Sequence, residues 1–157
     1  MCWQCDNPDA TIDDYLKFLR ARMTCHGWTV QFVESARQPF AYTIGLHELG
    51  LPELLITGLG PEQSARLLTS IGHQIAEDGD ILQPAMHIDF QGEYLLEIVE
   101  VDHPQIHLKF AAHLMGPHLR ALQLVWTDDF EVFPWDRGWA AGRRRQPVFG
   151  RRRPLSA

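Results

Sequence analysis

No apolar run in this chain approaches the roughly 18 residues that a membrane-crossing helix needs, so an integral membrane span is not expected. The start carries no basic segment leading into an apolar stretch, which argues against a secretory signal. Cysteine is scarce and odd in number, with three in 157 residues. A disulfide framework would need more thiols and an even count, so a reduced, cytoplasmic setting is expected. Several catalytic signatures are also missing. Gly58-Leu59-Gly60 is too short for a dinucleotide fingerprint, and no phosphate loop ending in Gly-Lys-Ser/Thr occurs. Ser35, Ser64 and Ser70 lack the context of a nucleophile elbow. His103 and His107 stand four apart, but no Glu lies between them to make the zinc-protease pattern. The histidines, including His113 and His118, read as solvated or capping groups.

What is present fits one globular core. The composition is 45% hydrophobic and 22% charged, the balance of an ordinary folded domain. The net charge of −6 conceals an asymmetry. From Arg137 onward there are seven arginines and no acid, which leaves seven basic and twenty acidic groups before it, a balance of −13. An acidic body repels nucleic acid, so a nucleic-acid partner is not expected. We therefore read residues 1–136 as a single α+β domain and 137–157 as an Arg-rich tail. That tail either is solvated or folds back onto the acidic body. Val148 and Phe149, between the triplets Arg143-Arg144-Arg145 and Arg151-Arg152-Arg153, would be a small apolar anchor for docking.

Periodicity sketches the elements. Residues 1–10, with Asn7-Pro8-Asp9, read as a loop. Thr11 with Asp14 resembles a capping box, and Ile12, Tyr15, Leu16, Leu19 and Met23 repeat at helical spacing up to Gly27. Three strands follow at 28–34, 40–46 and 54–59 as an antiparallel meander. In the first, Trp28, Val30 and Phe32 share one face. Pro61 opens a second helix with Ala65, Leu68, Ile71 and Ile75 inward. A hairpin is expected from strands 85–90 and 94–101, then a short helix from Pro104 to Met115 and a last strand at 121–127. The order of elements predicts an α+β fold: a mostly antiparallel sheet with two longer helices and one short helix packed against it.

Two blocks carry a resemblance. Pro39-Phe40-Ala41-Tyr42-Thr43-Ile44-Gly45-Leu46 leads into Gly50-Leu51-Pro52-Glu53-Leu54 and Thr57-Gly58-Leu59. Gln123-Leu124-Val125-Trp126-Thr127-Asp128 continues to Phe133-Pro134-Trp135-Asp136 and Gln146-Pro147. Together they resemble the bacterial domains of unknown function of the family DUF4262, over roughly residues 24–150. The resemblance implies no reaction and no catalytic residues. Gly45 and Gly58 should end strands where a side chain is excluded or φ is positive. Trp126, Phe133 and Trp135 either cap one end of the core or line a pocket for a flat ligand. Tyr42, His47, Trp126 and Trp135 are the candidate ligand-binding residues.

The other constellation is Cys2, Cys5, Cys25 and His26. Two thiols two residues apart, completed by a second pair, could hold a structural zinc. Cys2 and Cys5 could instead be a redox pair, or the cluster could have no function. Cys25 lies near the helix stripe and is expected to be buried and inert. Glu97 and Glu100 are expected to be solvated or singly paired. The leading expectation is a non-enzymatic binding or regulatory module that takes a protein or small-molecule partner, with self-association as a further option. The alternative is a metal- or thiol-dependent enzyme acting on a small molecule.

Overall fold

A computed structural model of the chain describes residues 3–139 and 146–153. One six-stranded sheet runs through it in the order β1-β2-β3-β6-β5-β4. The strands are β1 (Thr29–Val33), β2 (Phe40–Ile44), β3 (Glu53–Thr57), β4 (His87–Phe90), β5 (Tyr94–Glu100) and β6 (Ala121–Trp126). All six fall where the sequence predicts strands. The first three form the expected antiparallel meander, and β4 and β5 form the expected hairpin. The sheet as a whole is mixed. Strand β6 inserts between β3 and β5, parallel to the first and antiparallel to the second. Both β3 and β6 are buried along their whole length, as central strands covered on two faces must be.

Two helical layers cover the sheet. Helix α3 (Pro61–Ala76) lies on one face, where Leu67, Leu68, Ile71 and Ile75 meet Ala41, Leu54, Ile56, Leu122, Leu124 and Trp126. Trp28 seats its ring on Gly72, where any Cβ would stand 2.5 Å from the indole. The other face carries α2 (Ile12–His26) and α5 (Lys109–Met115), with Tyr15, Leu19, Met23, Leu108 and Ala111 packed on Tyr42, Ile44 and Leu55. The alternation in β1 is as predicted: Trp28, Val30 and Phe32 join the α3 layer, while Val33 joins the other.

Helix α2 starts at the expected capping box. The Asp14 N–H donates to Thr11 Oγ1 at 3.2 Å, and the Thr11 N–H donates to Asp14 Oδ2 at 2.9 Å. Its inward stripe is narrower than predicted, because Ile12 is exposed. Cys25 is exposed too, against expectation. It follows the buried Met23 by two residues, about 200° around a helix of 3.6 residues per turn. The single helix predicted for 104–115 is two: α4 (Pro104–His107) and α5. Between them Leu108 leaves helical geometry at φ −90, ψ 62 and buries its side chain. The expected N-terminal loop contains α1 (Trp3–Asp6). A helix this short has no stability of its own. Trp3 holds it by stacking on Phe18 and packing at a tilt on Tyr15, both at 5.2 Å between centroids.

Candidate functional site

A groove opens where β1 and β2 begin their turn and α4–α5 crosses above them. Val33, Phe40, Ile106 and Phe110 give it apolar walls, Gln38, His107 and Lys109 polar groups, and Phe149 a wall contributed by the C-terminal segment. Its volume is about 350 Å³. The Ser35 hydroxyl accepts from the Arg37 and Gln38 N–H groups at 3.3 and 3.1 Å, which sets Gln38 at the rim. Tyr42 underlies the groove and is fully buried. Its hydroxyl accepts from the Phe110 N–H at 3.1 Å, tying α5 to the sheet. Burial pushes the Tyr42 phenol well above its ordinary value, so it stays protonated at neutral pH. His107 lies flat on Phe149, with centroids 4.1 Å apart and 5° between planes. Burial, and then the neighbouring His103, lower its pKa, so the ring is neutral at pH 7.

The wall at Phe149 exists because residues 146–153 run back over the sheet. The Gln146 carboxamide completes the end of β6, accepting from the Trp126 N–H at 2.9 Å and donating to the Trp126 carbonyl at 2.8 Å. The Gln123 amide donates to the Pro147 carbonyl and its oxygen accepts from the Phe149 N–H, both at 2.8 Å. The Asp102 N–H donates to the Phe149 carbonyl at 2.9 Å. Gly150 then passes so close to β5 that a Cβ would stand 1.8 Å from the Glu100 carbonyl oxygen. Finally the Arg152 guanidinium grips Glu97 with two bonds, at 2.6 and 2.9 Å, and lies 4.6 Å from the Trp135 ring centre.

Glu97 is 1% exposed and also pairs with His87 at 2.7 Å. Burial by itself would raise its carboxyl, but the bonds from Arg152 and His87 outweigh that and hold it below the ordinary value. A second buried carboxylate has no such counter-charge. Glu53 accepts from Thr43 Oγ1 at 2.5 Å and from the Gly45 and His47 N–H groups at 2.8 and 3.1 Å. Burial drives it up to about 7, against the opposing pull of those bonds. It fastens the turn after β2, where Gly45 adopts φ +120 and a Cβ would lie 2.8 Å from the Gly27 carbonyl oxygen. Both reasons given for a glycine at the end of β2 thus hold at Gly45, and Gly58 has φ +82.

The candidate ligand-binding residues do not converge. Tyr42 belongs to the groove. His47 lies in the 3-10 helix Leu46–Leu49, beyond the other end of β2. Trp126 is buried on the α3 face, its indole N–H donating to the Thr57 carbonyl at 2.8 Å. Trp135 is on the opposite face, stacked on Phe133. Among the proposed zinc ligands, Cys2 lies outside the described residues. Cys5 is in α1, beside the Tyr15–Phe18 level of α2, whereas Cys25 lies seven residues beyond Phe18, about 10 Å along the helix axis. Among the described residues no group of three or more His, Cys, Asp or Glu is arranged to hold a metal. Sequence reasoning missed His107, Lys109 and Phe110 as neighbours of β2. It also read Glu97 without its two partners. For the strap formed by residues 146–153 the sequence offers the apolar pair Val148–Phe149 between arginine triplets, the opposed charge of tail and body, and Gln146-Pro147.

Among the described residues no helix is long and apolar enough to cross a membrane. No curated protein and no solved structure matches the chain. The pattern described as a domain of unknown function, DUF4262, matches residues 22–140. That span takes in Val33 to Phe110 of the groove and stops short of Phe149. The chain belongs to the family of domains of unknown function DUF4262.

Proposed function

We propose that this chain is a non-enzymatic binding module for a small molecule, with the groove between β1–β2 and α4–α5 as its site. The observation that carries the reading is the 350 Å³ cavity itself. It is walled by aromatic and aliphatic side chains, with a few polar groups at its rim, the make-up of a small-molecule site. The lining argues for binding over catalysis. Tyr42 is fully buried and its phenol is held protonated, so it cannot serve as a base near neutral pH. Among the described residues no carboxylate lines the groove to orient His107 as a base, and no serine, threonine or cysteine lines it as a nucleophile. The reading does not rest on a metal.

The test is a titration with N-phenyl-1-naphthylamine, an uncharged dye that fluoresces in apolar surroundings. A saturable rise is expected. Val33→Trp and Gln38→Trp, each filling the groove from one side, should abolish it in variants whose circular dichroism matches the parent. A parent protein without a saturable signal, or folded variants that bind as well as the parent, would refute the site.

A further inference from the structure

Among the described residues the groove has one fully charged lining residue, and it is a cation. Lys109 stands at the start of α5 with its side chain exposed at the mouth. No carboxylate pairs with it among the described residues, so its ammonium group is free to meet a ligand. Among the described residues no acidic one lines the groove. Behind the ammonium group, Phe40, Phe110 and Phe149 offer an apolar interior. The groove as a whole, about 350 Å³, has the room of a small-molecule site.

We infer that the ligand is an amphipathic organic acid: an apolar chain or ring inserted among Phe40, Phe110 and Phe149, with its carboxylate at Lys109. The inference rests on the groove being the binding site and adds the chemistry of what enters it. An amine would meet Lys109 as a like charge. A fully apolar molecule would fill the interior but gain nothing from the ammonium group, which stays hydrated at the mouth. A compact carboxylate satisfies the cation, while the rim amide of Gln38 and the neutral ring of His107 can each donate a hydrogen bond to it. The aromatic walls set the other half of the selectivity, since only an apolar tail gains from displacing water there.

The experiment is displacement of N-phenyl-1-naphthylamine by octanoate, 1-octanol and octylammonium, which share one tail and differ in the head. Octanoate should compete about two- to fivefold better than octanol, and octylammonium worse, with the preference shrinking as salt screens the pair. Lys109→Met should bring octanoate down to the level of octanol, and Lys109→Arg should keep the preference. Equal competition by octanoate and octanol in the parent protein would overturn the assignment while leaving the groove standing. So would a preference for octylammonium, or an octanoate preference that survives Lys109→Met. Failure of the dye itself to bind would instead remove the groove and the inference with it.

Discussion

Replacing Arg152 with Ala should loosen the C-terminal strap by an amount set by the burial of its partner. Glu97 is 1% exposed and holds Arg152 through two bonds at 2.6 and 2.9 Å. Removing one member of a fully buried pair costs about 3–5 kcal/mol, because the other charge is left stranded. Two features reduce that figure here. The Arg152 side chain is 44% exposed, so solvent already screens the pair. His87 also remains on Glu97 Oε1 at 2.7 Å. The lost contact with the Trp135 ring adds back about 0.5–1 kcal/mol. The expected loss is about 2 kcal/mol, or a fall in melting temperature of about 4–8 °C for a chain of this size.

The pH dependence gives the argument a sign. The Glu97 carboxyl is held below its ordinary value in the folded protein. Its contribution is therefore complete at pH 7 and is lost as pH falls below the ordinary glutamate range towards the folded value. The gap between Arg152→Ala and the parent should narrow in acid over that window. Thermal melts by circular dichroism at a series of pH values measure it. Glu97→Gln and the double variant complete a cycle, whose coupling should exceed about 0.5 kcal/mol. Additive losses, or a gap that does not change between neutral and acid pH, would refute the claim that this pair anchors the strap.

Glu53 should behave in the opposite sense, because its folded pKa of about 7 lies above the ordinary 4.5. The parent should lose roughly 1–3 kcal/mol between those two pH values, while Glu53→Gln, which resembles the protonated acid, should show a flatter denaturant-stability curve over the same range. Gly45→Ala must fit a Cβ 2.8 Å from the Gly27 carbonyl oxygen at φ +120, and urea unfolding should register a loss of about 2–3 kcal/mol. Gly150→Ala, with 1.8 Å available beside Glu100, should lift the strap and weaken dye binding in the groove several-fold without unfolding the sheet. Cys25 is exposed, so timed thiol labelling of the folded protein should modify it quickly; slow modification would place it back in the core.

Much of the fold could be read along the chain because it is written in local signals. The Thr11–Asp14 box and Gly27 bound α2, Pro61 opens α3, and alternation marks Trp28, Val30 and Phe32 as one face of β1. These signals act within a turn or two of helix or a single strand, so no distant partner is needed to interpret them. Errors arose where a distant contact decides. Leu108 breaks a helix where its side chain is buried in the cluster that also holds Tyr42, Leu119 and Ala121. Trp3 turns a loop into α1 because Tyr15 and Phe18 are there to receive it.

The site lay further from reach than the fold. Glu97 and Arg152 are 55 residues apart, Phe110 and Tyr42 are 68, and Thr57 reaches Pro147 across 90. Nothing in the composition of either partner announces such pairs. The sequence by itself determined which segments are strands and helices, which face of β1 is apolar, and that positive charge gathers at one end of an acidic chain. Only the tertiary structure decided that β6 slides between β3 and β5, that Phe149 walls a groove against His107, and that two of the acids are buried in different company. The physical reason is range. Backbone preference and hydrophobic periodicity are properties of neighbouring residues, whereas burial and the charge on a buried group depend on whatever the folded chain brings alongside.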